Sequence, residues 1–309
     1  MIRFCLERLA QLIIVFFFVT TLTFLLLRLA PGDPAYILLT THDVPASEEA
    51  LNALRKELGL AESLWSQYFQ WITDAFTWQW GTSYVSKELV VEELFRRIPA
   101  TIELATAGLV VMIAVTLIMG ISTAIYSHGL LNQVGKLMAL LGSSIPTFWL
   151  GFLLIYFFSV QYGWLPSMGR GTVKHLFLPA ITLGLGLGSM YARVLRTNML
   201  EVMNQPFIKA AMARGLSKKR IFIFQVFKHA FLPVVTMLGT SFAFMLGGSI
   251  IVEEIFSWPG LGKYIVEAIN MRDYPVIQGY VMLTTFIFVA IHNVVDMIYV
   301  WLDPRLRVS

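Results

Sequence analysis

Four polar side chains that can take part in proton or metal chemistry lie inside long apolar runs: Glu103, His292, Asn293 and Asp296. Lipid penalises ionisable groups, so each raises a functional hypothesis. His292 and Asp296 are four residues apart and share one face of a helix. That spacing would suit a metal or proton site, but two ligands on one helix hold a metal poorly. An internal hydrogen bond with a packing role is the favoured reading. The single cysteine, Cys5, excludes an internal disulfide and any multi-cysteine metal cluster. The five histidines and 14 methionines form no dense ligand set. GLLNQVGKL at 129–137 approaches a phosphate loop, yet five residues separate its glycines, and Leu137 stands where Ser or Thr must hold magnesium. The chain is therefore expected to have no catalytic residues, no metal and no ATPase activity of its own. Gly184 and Gly188 form a GxxxG pair that suits close helix packing, with a place on a transport pathway left open. In EEIFSWPGLGKY, Trp258, Pro259, Gly260 and Gly262 interrupt an apolar helix, which suits either an outer gate or dock, or an ordinary loop.

The elements that must position these residues are set by lipid. Hydrophobic residues make up 57% of the chain and mean hydropathy is +0.71. About 20 apolar residues cross a bilayer, and the runs lack the alternation of a barrel strand. The expected fold is an all-α integral membrane protein with six transmembrane helices, at 9–29, 99–127, 136–160, 178–200, 232–256 and 278–301. The first run is longer than a signal-peptide core and is expected to be retained. A net charge of +4 reflects orientation rather than nucleic-acid binding. Arg3, Arg8, Lys136, Arg305, Arg307 and the cations of 193–228 put both termini and that segment on the cytoplasmic side. The loop 31–98 carries ten acids against five cations and faces outward. Its four tryptophans and a short helix capped by Ser47 suggest a small ordered cap. The organisation expected is an N-terminal transmembrane helix at 1–30, an external cap loop at 31–98 and a five-helix core at 99–309, with a coupling segment at 200–228.

That segment cannot span, because the eight cations of 193–228 would cost on the order of 20 kcal/mol at the bilayer centre. Helix formers run through 198–214 with one proline, Pro206. Gly215 is placed to end a helix in the left-handed conformation, and Ser217 can cap the next one. Lys218, Lys219 and Arg220 then occupy a first turn where cations oppose the helix dipole. Helix stability did not place them there. Anionic lipid is one explanation; a docking surface for a cytoplasmic partner is the other, with Lys209, Ala210, Ala211, Gly215, Leu216 and Ser217 as the coupling residues. Pro233 is expected in the first turn of helix five.

AAMARGL followed by HAFLP resembles the cytoplasmic coupling motif of ABC importer permeases, with Lys209 in place of the usual Glu and a longer stretch from Gly215 to Pro233. Both departures match the branch that moves peptides and nickel. RLAPGDP (28–34), IPATIELA (98–105), SIPTFWLGFLL (144–154), EEIFSWPGLGKYIVEAI (253–269), RDYPVIQG (272–279) and DPRLR (303–307) agree, so the resemblance covers nearly the whole chain. It implies a permease subunit in a bacterial or archaeal cytoplasmic membrane. It further implies a second homologous permease, two ATPase subunits that carry ATP and magnesium, and an external solute-binding protein. The implied cargo is di- or oligopeptides, or nickel, free or chelated. A self-contained channel and an intramembrane enzyme remain as alternatives; the enzyme would need a nucleophile or metal cluster, and no convergent set is present.

Overall fold

The computed structural model describes residues 2–41, 47–126, 129–247 and 249–302. Arg305, Arg307 and the DPRLR motif lie outside the described residues, as do the side chains of Arg3, Cys5, Arg8 and Asp296. Helices in chain order are α1 (Ile2–Leu29), α2 (Pro34–Thr41), α3 (Glu48–Glu57), α4 (Leu64–Phe76), α5 (Val90–Ile125), α6 (Leu130–Ser144), α7 (Thr147–Leu154), α8 (Val173–Met203), α9 (Pro206–Ala213), α10 (Lys218–Ile221), α11 (Lys228–Leu246), α12 (Ile250–Ile255), α13 (Leu261–Asn270) and α14 (Tyr274–Leu302). Two π-helical stretches, Ile155–Gln161 and Phe222–Phe227, continue α7 and join α10 to α11. Among the described residues the sole β feature is an isolated bridge between Thr82 and Leu89.

Five stretches are long and apolar enough to cross a membrane without a break: Leu12–Leu29, Val90–Ile125, Val173–Met203, Lys218–Leu246 and Tyr274–Val294. The sixth is a pair, Asn132–Ser144 and Thr147–Gln161, bent by 103°. The all-α membrane class holds, but the unbroken helix expected at 136–160 does not. Pro146 lacks an N–H and pushes Ile145 into extended backbone (ψ 124°), which ends α6. The fifth span also differs: it begins at Lys218 and stops at Leu246, with α12 a separate short helix. Pro233 is therefore interior to that helix instead of in its first turn. The helix follows a π-helical stretch, and Asn198 Nδ2 donates to the Ala230 carbonyl at 3.2 Å, next to the His229 carbonyl that the proline leaves without its helical donor.

The chain divides into two compact units, each discontinuous in sequence. Unit 1 comprises residues 1–101 and 259–289. Its core joins Val90 and Leu94 of α5 to Leu261 and Ile265 of α13 and to Val276 and Tyr280 of α14. Ser47 caps α3 by accepting from the Ala50 amide at 3.2 Å, as its position suggests, and Ser63 caps α4 in the same way. Unit 2 comprises residues 102–258 and 290–309. Its helices approach through small residues: a Cβ on Gly188 would lie 2.9 Å from the Met112 carbonyl oxygen of α5, and one on Gly184 would strike the Gly108 carbonyl. Gly142 of α6 meets Ser189 of α8 in the same manner.

Candidate functional site

The basic segment forms a closed helix-turn-helix tip within unit 2. Asn204 and Gln205 turn the chain after α8, and Pro206 then sits at the first position of α9, where its missing N–H is tolerated. Ile208 and Ala211 are fully buried on one side of α9, while Phe207, Lys209, Ala210 and Met212 are exposed on the other. The C-terminus closes by the two bonds of a Schellman motif, Leu216 N–H to the Ala211 carbonyl at 3.3 Å and Gly215 N–H to the Met212 carbonyl at 2.9 Å. Gly215 has φ +79°, and a Cβ there would meet nothing within 4 Å, so backbone conformation alone demands glycine. Ser217 caps α10 by accepting from the Arg220 amide at 3.4 Å.

Lys209, Lys218, Lys219, Arg220 and Lys228 are exposed, and none forms an ion pair among the described residues. The tip is tied inward by buried Ile221, Val226 and Ala230. Deeper in the unit, the Tyr191 and Ser241 hydroxyls of α8 and α11 hydrogen-bond at 2.5 Å. The small-residue end read from the sequence thus has two sides. Ala210 and Gly215 are exposed, whereas Ala211 lets α9 lie close to its own unit.

The four residues that interrupt the apolar run, read as a gate, a dock or a loop, fall in different units. In unit 2, Trp258 is fully buried, and the Gly169 amide donates to the Phe256 carbonyl at 2.8 Å. Arg170 pairs with Glu103 at 2.7 Å and lies 6.0 Å over the Trp258 ring. Glu103 is therefore half-exposed and paired, a partnership that no local spacing signals. In unit 1, Pro259 is exposed while Gly260 and Gly262 are buried, and Thr101 Oγ1 accepts from the Leu261 amide at 2.8 Å to start α13.

Buried Asp273 was not singled out by the sequence. Its carboxylate accepts from Ser83 Oγ at 2.5 Å, the Tyr84 amide at 3.1 Å and the Val85 amide at 3.3 Å, clamping the turn before α5 to the start of α14. Nearby, burial pushes the Tyr84 phenol up to about 12, against a smaller lowering by Arg28. Burial likewise pushes Tyr264 up to about 12, although the Arg97 guanidinium stands 4.0 Å from its ring and favours the phenolate. His292 and Asn293 are half-buried on α14.

These features define a multi-pass helical membrane protein with an exposed basic tip between two long spans. The chain belongs to the family described as binding-protein-dependent transport system inner membrane component, which matches residues 116–308, with the N-terminal part of the same systems matching 1–105. It is 37% identical over 307 residues to the glutathione transport system permease protein GsiC of Salmonella choleraesuis (strain SC-B67), covering 99% of both chains. GsiC of Escherichia coli (strain K12) is 36% identical over the same length. Among solved structures, the inward-facing MetNI methionine ABC transporter shares the fold at TM-score 0.55 and 18% identity, over 69% of this chain and 97% of that one. An amino acid ABC transporter with histidines matches at TM-score 0.54 and 15% identity, over 68% of this chain and 94% of that one. The chain is a permease subunit of an ABC importer in the peptide and nickel branch, and a multi-pass inner-membrane protein.

Proposed function

We propose that this permease admits short peptides, with glutathione the first to test, and that it pairs with a second homologous permease above two ATPase subunits. ATP and magnesium are bound on those ATPases, and an external solute-binding protein delivers the cargo. Both termini and the α9 tip face the cytoplasm. The peptide class rests on the full-length relatives, which are named for glutathione, itself a tripeptide. The observation that carries the coupling reading is the closed α9 tip. A short helix with a buried inner face and an exposed outer face, joined directly to α8 and to the continuous helix that begins at α10, passes a push from an ATPase groove into two spans.

Partner-facing positions make the cleanest test. Ala210→Asp and Met212→Glu leave buried side chains untouched, so membrane abundance is expected to match the parent while ATP-driven glutathione uptake falls at least tenfold. Ala211→Asp would instead bury a carboxylate inside the unit and damage the fold itself. Normal uptake and normal co-purification of ATPase subunits in both outer-face variants would overturn the docking assignment. Recovery of the intact chain alone from mild-detergent extracts would favour a self-contained channel.

A further inference from the structure

α4 carries more open aromatic surface than a helix standing in water accounts for. Trp65, Phe69 and Phe76 are 74%, 63% and 67% exposed, and at about 100° per residue they fall within about 40° of one another. Ser66, Gln70 and Thr73 are exposed about a quarter turn further round. Gln67, Tyr68 and Trp71 make the third side, which is set against α1 within unit 1. The Tyr68 and Thr21 hydroxyls hydrogen-bond at 2.8 Å, and Arg28 Nε donates to Gln67 Oε1 at 2.7 Å. Between them, buried Phe24 stacks on Trp71 at 5.8 Å and meets Tyr68 edge-on at 5.3 Å. One side of α4 is thus given to protein, one is polar, and one is apolar and open.

The depth of the contacts with α1 identifies what covers the open side. Leu12–Leu29 is long and apolar enough to cross a membrane, and Leu22, Leu25 and Leu26 are exposed over the same turns that hold α4. At about 1.5 Å per residue, Phe24 lies about 8 Å and Thr21 about 12 Å inside the Leu29 end of that span. A helix fixed there cannot stand clear of the bilayer, since interfacial helices bury an apolar face about 5–10 Å into the boundary of headgroups and acyl chains. A soluble partner would have to reach the stripe through the headgroups. We infer that α4 is an interfacial helix seated in the leaflet at the Leu29 end of α1, with Trp65, Phe69 and Phe76 among phospholipid acyl chains and Ser66, Gln70 and Thr73 toward water. The same seating sets Gln67 on Arg28, a cation near the end of an apolar span that also lies 5.0 Å from the Phe24 ring. Part of a stretch that its acids mark as an aqueous loop is thereby bound to lipid.

Cys5 is the sole cysteine, so Cys5→Ser gives a background for single nitroxide labels. Phe69→Cys, Phe76→Cys and Thr73→Cys are each labelled in the assembled transporter and reconstituted in vesicles of phosphatidylethanolamine and phosphatidylglycerol. All three positions are exposed, so buried packing is left untouched. Collisions with oxygen, which concentrates in lipid, are compared with collisions with a chromium oxalate complex, which stays in water. Ile14→Cys, at an exposed apolar position of the same span, gives the lipid reference. The oxygen-to-chromium ratio at 69 and 76 is expected to match that at 14 and to exceed that at 73 at least threefold. A ratio at 69 and 76 equal to that at 73 would overturn the inference and put the stripe in water. Low collision with both reagents at 69 and 76 would overturn it too, with a protein surface over α4 in place of lipid.

Discussion

Asp273 shows how one side chain holds distant parts of the chain together. Its carboxylate is buried and satisfied by the Ser83 hydroxyl and the amides of Tyr84 and Val85. Asp273→Ala would leave these donors unpaired at about 1–3 kcal/mol each. A fall of several degrees in the detergent melting temperature is expected, with faster tryptic cleavage at Lys87. Asp273→Asn, which keeps one acceptor oxygen, should fall between the two; a wild-type melting curve for Asp273→Ala would refute the clamp. The two tyrosines give a pH test. Their folded values, about 12, lie above the ordinary value of 10, so their stabilisation is present below pH 10. It is lost as pH rises from 10 to 12, where the unfolded chain gives up its phenolic protons first. Tyr84→Phe with Tyr264→Phe should flatten the stability loss across that window in thermal scans of the detergent-solubilised protein. Among single residues, Gly215, Ser217 and Ser47 were legible in the sequence because local backbone chemistry dictates their roles. Asp273 and the Glu103–Arg170 pair were not, because their partners are 190 and 67 positions away.

At the scale of elements, apolar run length marks the spans, while two prolines act on them in ways that hydropathy does not register. Ile145-Pro146 breaks a run whose composition stays apolar on both sides, so hydropathy reads straight through a 103° bend. Pro233 works in the opposite sense, since the helix continues through it. The packing of α5 on α8 was half legible: the GxxxG pair names one face, but its match, Gly108, lies on another helix. Gly188→Ala would put a Cβ 2.9 Å from backbone oxygen and from Val115 Cβ, an overpacking cost of about 1–3 kcal/mol. Gly186→Ala places its Cβ 3.6 Å from the Gly142 oxygen and gains helix propensity. The first variant should melt lower than the parent and the second should match or exceed it. Equal melting of the two would mean that α5 and α8 do not approach as closely as described.

At the scale of the whole molecule, the division into units cuts across the order of the chain. The boundaries drawn from charge and hydropathy followed sequence blocks, with the loop 31–98 set apart as a cap. Unit 1 instead takes residues 259–289 into the same core as α1 and the outer loop. Composition cannot show such an exchange, because α13 and the start of α14 have their own apolar faces and nothing local names their partner. The clamp between Ser83 and Asp273 then bears on synthesis. At about 5–20 residues per second, the 190 positions separating them take roughly 10–40 s to translate. During that interval the turn at 83–85 and the core positions Val90 and Leu94 have emerged without the chain that completes them. Unit 1 is thus begun with α1 yet closed only when residues 259–289 have been made, and until then its turn is unclamped and its core lacks α13 and the start of α14.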